Sequence, residues 1–208
     1  MPALRGSLTY ARFFVEGEPP DDFREKYMRA IRLRALRPLE PDDEALESSG
    51  WCKVGEPFEL ELGYEDVFFN EYLNLGLRTD RWVIPGPLLR RKLREAETAA
   101  LAKKGRERLG RKEKAELKEM VSRKLRRDLV PAMRAADLSW SLEEGIVRFF
   151  SLSPRTTATM IDVFQRTFAV KLVPEAPYTL AERLGLGKAE QAAWESLERD
   201  CGNSTDDH

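Results

Sequence analysis

Histidine is almost missing from this chain: of 208 residues, the sole histidine is the terminal His208. That removes the commonest general base and metal ligand, and with it a Ser/His or Cys/His nucleophile mechanism. Cysteine is nearly as scarce, with Cys52 and Cys201 far apart and neither in a CxxC pair. Neither a disulfide framework nor a zinc site is expected, and no cofactor is implied. Long apolar runs are lacking too. The opening stretch MPALRGSLTYARFFVEGE has an early arginine but no run of the length that a signal peptide or a membrane span requires. A cytoplasmic protein without a membrane partner is the expectation.

What is present supports a folded core, since 42% of the residues are hydrophobic and 9% aromatic. Charged residues reach 34%, above the usual quarter, and their placement is uneven. Leu88 to Arg127 holds sixteen Lys/Arg against six Asp/Glu, a net charge of +10 inside a chain whose total is −1. The other residues carry 19 basic and 30 acidic side chains, a net −11. Segregation of this kind is the electrostatic footprint of a protein that meets a polyanion such as DNA or RNA.

Periodicity predicts an α+β protein in which small sheet and helix units flank a long basic antiparallel helical hairpin. Leu8 to Val15 reads as a strand, and Phe23, Tyr27, Ala30 and Ile31 as a helix that Asp21 or Asp22 can cap and Pro38 ends. Pro38 to Ser49 reads as an acidic connection. Alternation predicts strands at Phe58 to Leu62 and at Leu73, Leu75 and Leu77, with Thr79-Asp80 as a hairpin turn into Trp82 to Ile84. Pro85-Gly86-Pro87 opens the first basic helix, Gly105 and Gly110 bracket a turn, and a second helix spans about Arg111 to Leu129. Strands follow at Leu138 to Leu142 and Ile146 to Leu152. A helix from Pro154 with Thr157, Ile161, Phe164 and Phe168 on one face comes next, then a strand at Val170 to Val173. Weaker elements at Tyr178 to Leu184 and Lys188 to Leu197 end the chain. The units are thus 1–84 (β-α-β-β), 85–131 (hairpin), 132–174 (β-β-α-β) and 175–208 (tail).

Binding a nucleic acid without regard to sequence needs many Lys/Arg on a stiff support, because release of condensed counterions supplies the main favourable term. The hairpin offers Arg90, Arg91, Arg94, Lys103, Lys104, Arg106 and Arg108 from its first helix and turn. Arg111, Lys112, Lys114, Lys118, Arg123, Lys124, Arg126 and Arg127 come from its second. Ordinary helix support is the competing reading, through pairs such as Glu107/Arg111 and Glu119/Arg123. A net +10 over this stretch exceeds what internal pairing absorbs. Base-specific readout lacks a basis, as there is no zinc-finger spacing, RNA-recognition aromatic motif or compact helix-turn-helix.

Three further patterns carry less. GRERLGRK, Gly105 to Lys112, has phosphate-loop glycine spacing but no Gly-Lys-Ser/Thr and no preceding strand. Glu56, Glu59, Glu61, Glu65 and Asp66 imitate a nuclease metal cluster but lack a lysine in register, so a solvated edge is expected. Trp51, Trp82 and Trp140 can stack on bases, but each falls near a strand end, where a core role is usual.

The run GRERLGRKEKAELKEMVSRKLRRDLVP, Gly105 to Pro131, resembles the recombination-associated RdgC family, in which a Gly-Arg...Arg-Lys-Glu-Lys...Glu-Leu-Lys helix ends in Leu-Pro. Gly50-Trp51, Ile84-Pro85, the strand with Trp140 and the segment ending at Val170 to Pro174 follow the family's order. The likeness is closest from Trp82 to Pro174 and looser from Met1 to Arg81. It implies a non-enzymatic, nucleoid-associated protein that forms a ring-shaped homodimer around duplex DNA and restrains RecA-promoted strand exchange. Single-stranded DNA is a further implied ligand. Arg106, Arg111, Lys112, Lys114 and Lys118 match positions that would face the ring interior. The family's Leu-Pro-Arg-Ala-Phe is replaced by Val130-Pro131-Ala132-Met133-Arg134, and family members continue through a further C-terminal section. An open dimer, a different assembly and a monomer therefore stand beside the ring. A module whose basic hairpin docks an acidic partner or a second copy is the alternative function, with a metal-dependent nuclease third.

Overall fold

A computed structural model of the chain describes residues 9–105, 107–185, 187, 190 and 193. The elements in order are β1 (Ala11–Glu16), α1 (Phe23–Leu33), β2 (Glu47–Cys52), α2 (Tyr64–Val67), β3 (Phe68–Phe69) and β4 (Tyr72–Arg81). There follow α3 (Gly86–Lys104), α4 (Arg111–Arg126), β5 (Ala132–Ser141), β6 (Ile146–Phe149), α5 (Pro154–Phe168), β7 (Lys171–Pro174) and α6 (Pro177–Arg183). The class is α+β.

Strands from before and after the basic helices join in one antiparallel sheet, ordered β2-β4-β5-β6-β1-β7 with β3 added on β4. Period-2 alternation explains its buried face. Leu73 of β4 lies opposite Trp140 of β5, Trp140 opposite Val147 of β6, and Val147 opposite Phe13 of β1. These side chains cluster with Tyr27, Met28 and Ile31 of α1 and Met160, Phe164 and Phe168 of α5. The helices supply one apolar stripe each, as the 3.6-residue spacing requires. Ser153 caps α5 through its hydroxyl and Pro154 occupies the first turn.

Three expectations need correction. Residues 58–62 are irregular, not a strand. Backbone N–H groups of Glu56 and Glu59 donate to Lys53 and Glu56 carbonyls, which winds the chain into successive turns around Pro57. Phe58, at the start of that expected strand, is 75% exposed and lies under the Arg78 guanidinium, 5.2 Å from its ring centre. Thr79-Asp80 is not a turn, because β4 runs through to Arg81. Asp80 is 2% exposed and takes two bonds from Arg78, at 2.8 and 2.7 Å. Trp82 to Ile84 then lies outside any strand. Finally, Asp22 stands at the N-cap of α1 but makes no side-chain cap bond, pairing instead with Lys26 at 2.6 Å.

β2 begins inside the stretch expected to be a connection and runs past it to Cys52, although Ser48, Ser49 and Gly50 have little intrinsic preference for strand. Tertiary pairing makes up the difference, with β4 along one edge. Leu36 N–H donates to Trp51 O, and Trp51 N–H to Arg34 O, along the other. A Cβ at Gly50 would stand 2.5 Å from Leu36 N, so this close approach needs glycine.

Next to Trp51, Cys52 is buried on the opposite face, and burial, reinforced by Asp137, pushes its thiol up to about 12. A thiol held protonated at neutral pH is a poor nucleophile. Cys52 is therefore expected to resist a maleimide in the native protein and to react at once in denaturant. Peptide mapping after labelling checks this, and native labelling of Cys52 would contradict it.

Candidate nucleic-acid interface

Adjacent strands β4 and β5 pair as far as Arg81 and Ala132, so α3 and α4 are an excursion that leaves and rejoins the sheet at one end. Pro85 precedes α3 and a proline occupies its first turn. Gly105 ends it in the left-handed region, φ 60°, where a side chain would be strained. α4 starts from Gly110, whose N–H donates to Glu113 Oε2 at 2.8 Å. The same carboxylate takes Lys104 Nζ at 2.5 Å, which ties the end of α3 to the start of α4.

α3 and α4 pack on each other. Half-buried Leu93, Ala96, Ala100 and Leu101 form the stripe of α3, and Leu117 with buried Val121 and Leu125 that of α4. No residue of α3 is fully buried, which fits a helix covered along one side only. Leu88, Leu89 and Ser122 are half-buried as well, and the remaining side chains of both helices are exposed or charged.

The predicted cations divide into two groups. Arg91 pairs with Glu95 at 3.0 Å, Lys104 with Glu113, Arg123 with Glu119 at 2.7 Å, and Arg127 with Asp42 at 3.1 Å. Lys92 joins Glu95 as well, and Lys92 and Arg91 together hold that carboxyl below its ordinary value. Exposed pairs of this type contribute little to stability. By contrast, Arg90, Arg94, Lys103, Arg108, Arg111, Lys112, Lys114, Lys118 and Lys124 are exposed, and none has an ion-pair partner among the described residues. Arg106 lies outside the described residues. Of the two helix-support pairs anticipated, Glu119/Arg123 forms, whereas Glu107/Arg111 is not among the described ion pairs.

Arg126, expected among the phosphate-facing cations, is instead turned into the protein, which the charge pattern alone gives no sign of. It is 8% exposed and donates from Nη1 to the Asp43 carbonyl at 2.8 Å. Beside it Arg127 reaches the Asp42 carboxylate. The acidic connection at 41–43 thus grips the foot of α4 at two adjacent arginines. Replacing Arg126→Ala removes a charged hydrogen bond, a loss of about 2 kcal/mol. Hydrogen exchange in α4 is expected to accelerate while the β4 and β5 amides keep their protection. Equal loss of protection in the sheet would show that the helices and sheet do not open separately.

The other sequence patterns resolve into structural roles. The glycine-spaced segment at 105–112 joins two helices and follows no strand. Asp66 accepts from Gly63 N–H at 2.9 Å and pairs with Lys53 at 3.2 Å, and both contacts hold its carboxyl low. Lys53 also reaches Glu56, and no cluster of His, Cys, Asp and Glu suited to a metal occurs among the described residues. Trp51, Trp82 and Trp140 are all buried, which removes them as stacking platforms. No helix among the described residues is long and apolar enough to cross a membrane.

In chemical terms, the excursion is a pair of packed helices whose exposed cations outnumber their local counter-charges. No family model matches the chain, and no curated protein matches it.

Proposed function

We propose that this protein is a non-enzymatic, largely sequence-independent DNA-binding protein of the RdgC type, with α3 and α4 as its DNA-contacting surface. Support comes above all from the nine exposed cations that lack ion-pair partners among the described residues. Phosphates are the natural counter-charge for such a surface: Arg can grip them in bidentate fashion, and Lys acts as a mobile point charge. In this reading two copies coat or encircle duplex DNA in the nucleoid and restrain RecA-type strand exchange during recombination or replication. Single strands, which carry the same phosphates, are a further ligand in this reading.

One observation favours a second reading, in which the basic helices dock an acidic partner or a second copy. Within the chain, Asp42 and the Asp43 carbonyl already engage Arg127 and Arg126. Size measurement across a salt series, with and without duplex DNA, separates the two. The DNA reading predicts a complex that forms at low salt and dissolves as salt rises. Salt-sensitive self-association that duplex DNA leaves undisturbed would replace it with the second.

A further inference from the structure

The buried face of the sheet changes character at one level across three strands. Trp51, Leu77 and Ala136 lie side by side and belong to the apolar interior. Two residues along, on the same face, stand Ser49, Thr79 and Arg134, and two further along Glu47, Arg81 and Ala132. Side chains in register on neighbouring strands share a face, so the core does not simply end here. It opens into a cleft of about 490 Å³ with a mixed apolar and polar lining, whose far wall is the first turn of α5 with Arg155 and Thr156.

Three arginines, Arg81, Arg134 and Arg155, line this cleft against a single carboxylate, Glu47. Glu47 takes Arg155 at 2.5 Å and lies 3.8 Å from Arg81. Arg134 is exposed and has no ion-pair partner among the described residues. The first turn of α5 contains no acidic residue, so Glu47 alone offsets Arg155 and the positive end of the helix dipole. An anion between these guanidinium groups would satisfy the excess charge. Arginine forks and nearby hydroxyls from Thr79 and Ser151 suit the tetrahedral oxygens of a phosphate ester.

Position decides which phosphate. Arg81 ends β4 and Arg134 lies near the start of β5, and these strand ends lead into and out of the α3–α4 excursion. We propose that this cleft seats a backbone phosphate of nucleic acid, a second contact at the foot of the basic helices. It rests on the DNA-binding reading above and extends the surface from the helices onto the sheet.

The test uses the full chain, an Arg134→Glu variant, a Glu47→Gln variant and a Lys112→Glu/Lys118→Glu variant. Duplex affinity is followed by fluorescence anisotropy over a KCl series, and a 5′-phosphorylated thymidine dinucleotide is titrated while the amide resonances of 151–159 are observed. Arg134→Glu is expected to weaken duplex binding about tenfold and to flatten the logarithmic salt dependence by about one. Glu47→Gln, which frees two arginines, is expected to tighten it. The dinucleotide should move the cleft amides in the wild-type and Lys112→Glu/Lys118→Glu chains and leave them still in Arg134→Glu. Wild-type duplex affinity in Arg134→Glu with unmoved amides in the wild-type chain would overturn the cleft while leaving the helical surface intact. Amide shifts without any duplex binding would keep a phosphate site and overturn the DNA reading instead. Inorganic phosphate moving the amides as strongly as the dinucleotide would overturn the nucleic-acid assignment.

Discussion

Reversing four charges together, Arg111→Glu, Lys112→Glu, Lys114→Glu and Lys118→Glu, is expected to lower duplex affinity on the order of a thousandfold at about 0.1 M salt. Each phosphate neutralised by a cation releases about 0.9 of a counterion, so four lost contacts flatten the logarithmic salt dependence by about three to four. The four side chains are exposed and have no ion-pair partner among the described residues, so no described salt bridge is broken. None of the four is buried, and circular dichroism should be unchanged. The fall should be uniform across unrelated duplex sequences, because phosphate contacts position a protein without reading bases. Retained affinity with an unchanged salt dependence would move the binding surface elsewhere.

The largest effect on stability is expected at Trp51, far from that surface. Trp51 is 0% exposed, its ring lies 6.2 Å from that of Phe168, and its Nε1 donates to Thr167 Oγ1 at 2.9 Å. Thr167 in turn donates to the Val163 carbonyl at 2.6 Å, so the indole closes a bonded chain between β2 and α5. Trp51→Ala opens a cavity where β2 meets α5 and is expected to cost about 4 kcal/mol. Against a total of about 5–15 kcal/mol for a typical domain, that removes a large part of the stability. Trp51→Phe keeps most of the volume but loses the hydrogen bond, a loss of about 1–2 kcal/mol. Urea unfolding measures both. A loss below about 1 kcal/mol for Trp51→Ala would contradict its place in the core. Folded Trp51→Phe should bind duplex DNA with wild-type affinity, since a buried indole cannot stack on a base.

Helices were more legible than strands, for a physical reason. An amphipathic helix announces itself within its own sequence: α3, α4 and α5 begin and end close to the expected punctuation, and α1 begins there but stops at Leu33, short of Pro38. A strand is completed by its partners. Glu47–Cys52 reads poorly alone and exists because β4 and the 34–36 backbone flank it. Asp80 looks like a turn residue, yet Arg78 two positions earlier neutralises it inside a continuous strand. Phe58 to Leu62 alternates convincingly, but the turns around Pro57 override the pattern.

The candidate surface was legible as a composition and not as a division of labour. Counting charges locates the basic block but cannot tell Arg126, buried against the 41–43 backbone, from Lys124, which is exposed. Nor does it place Arg134 and Arg155 in one cleft, since sheet register and the start of α5 bring them together.

The most direct test of DNA binding as the central claim is equilibrium binding of two unrelated duplexes to the wild-type chain across a KCl series. The account predicts equal affinities for the two sequences and a straight, steep fall of log K with log salt, by about 0.9 for each phosphate contacted. Absence of binding at low salt, or an affinity that salt leaves unchanged, would contradict it.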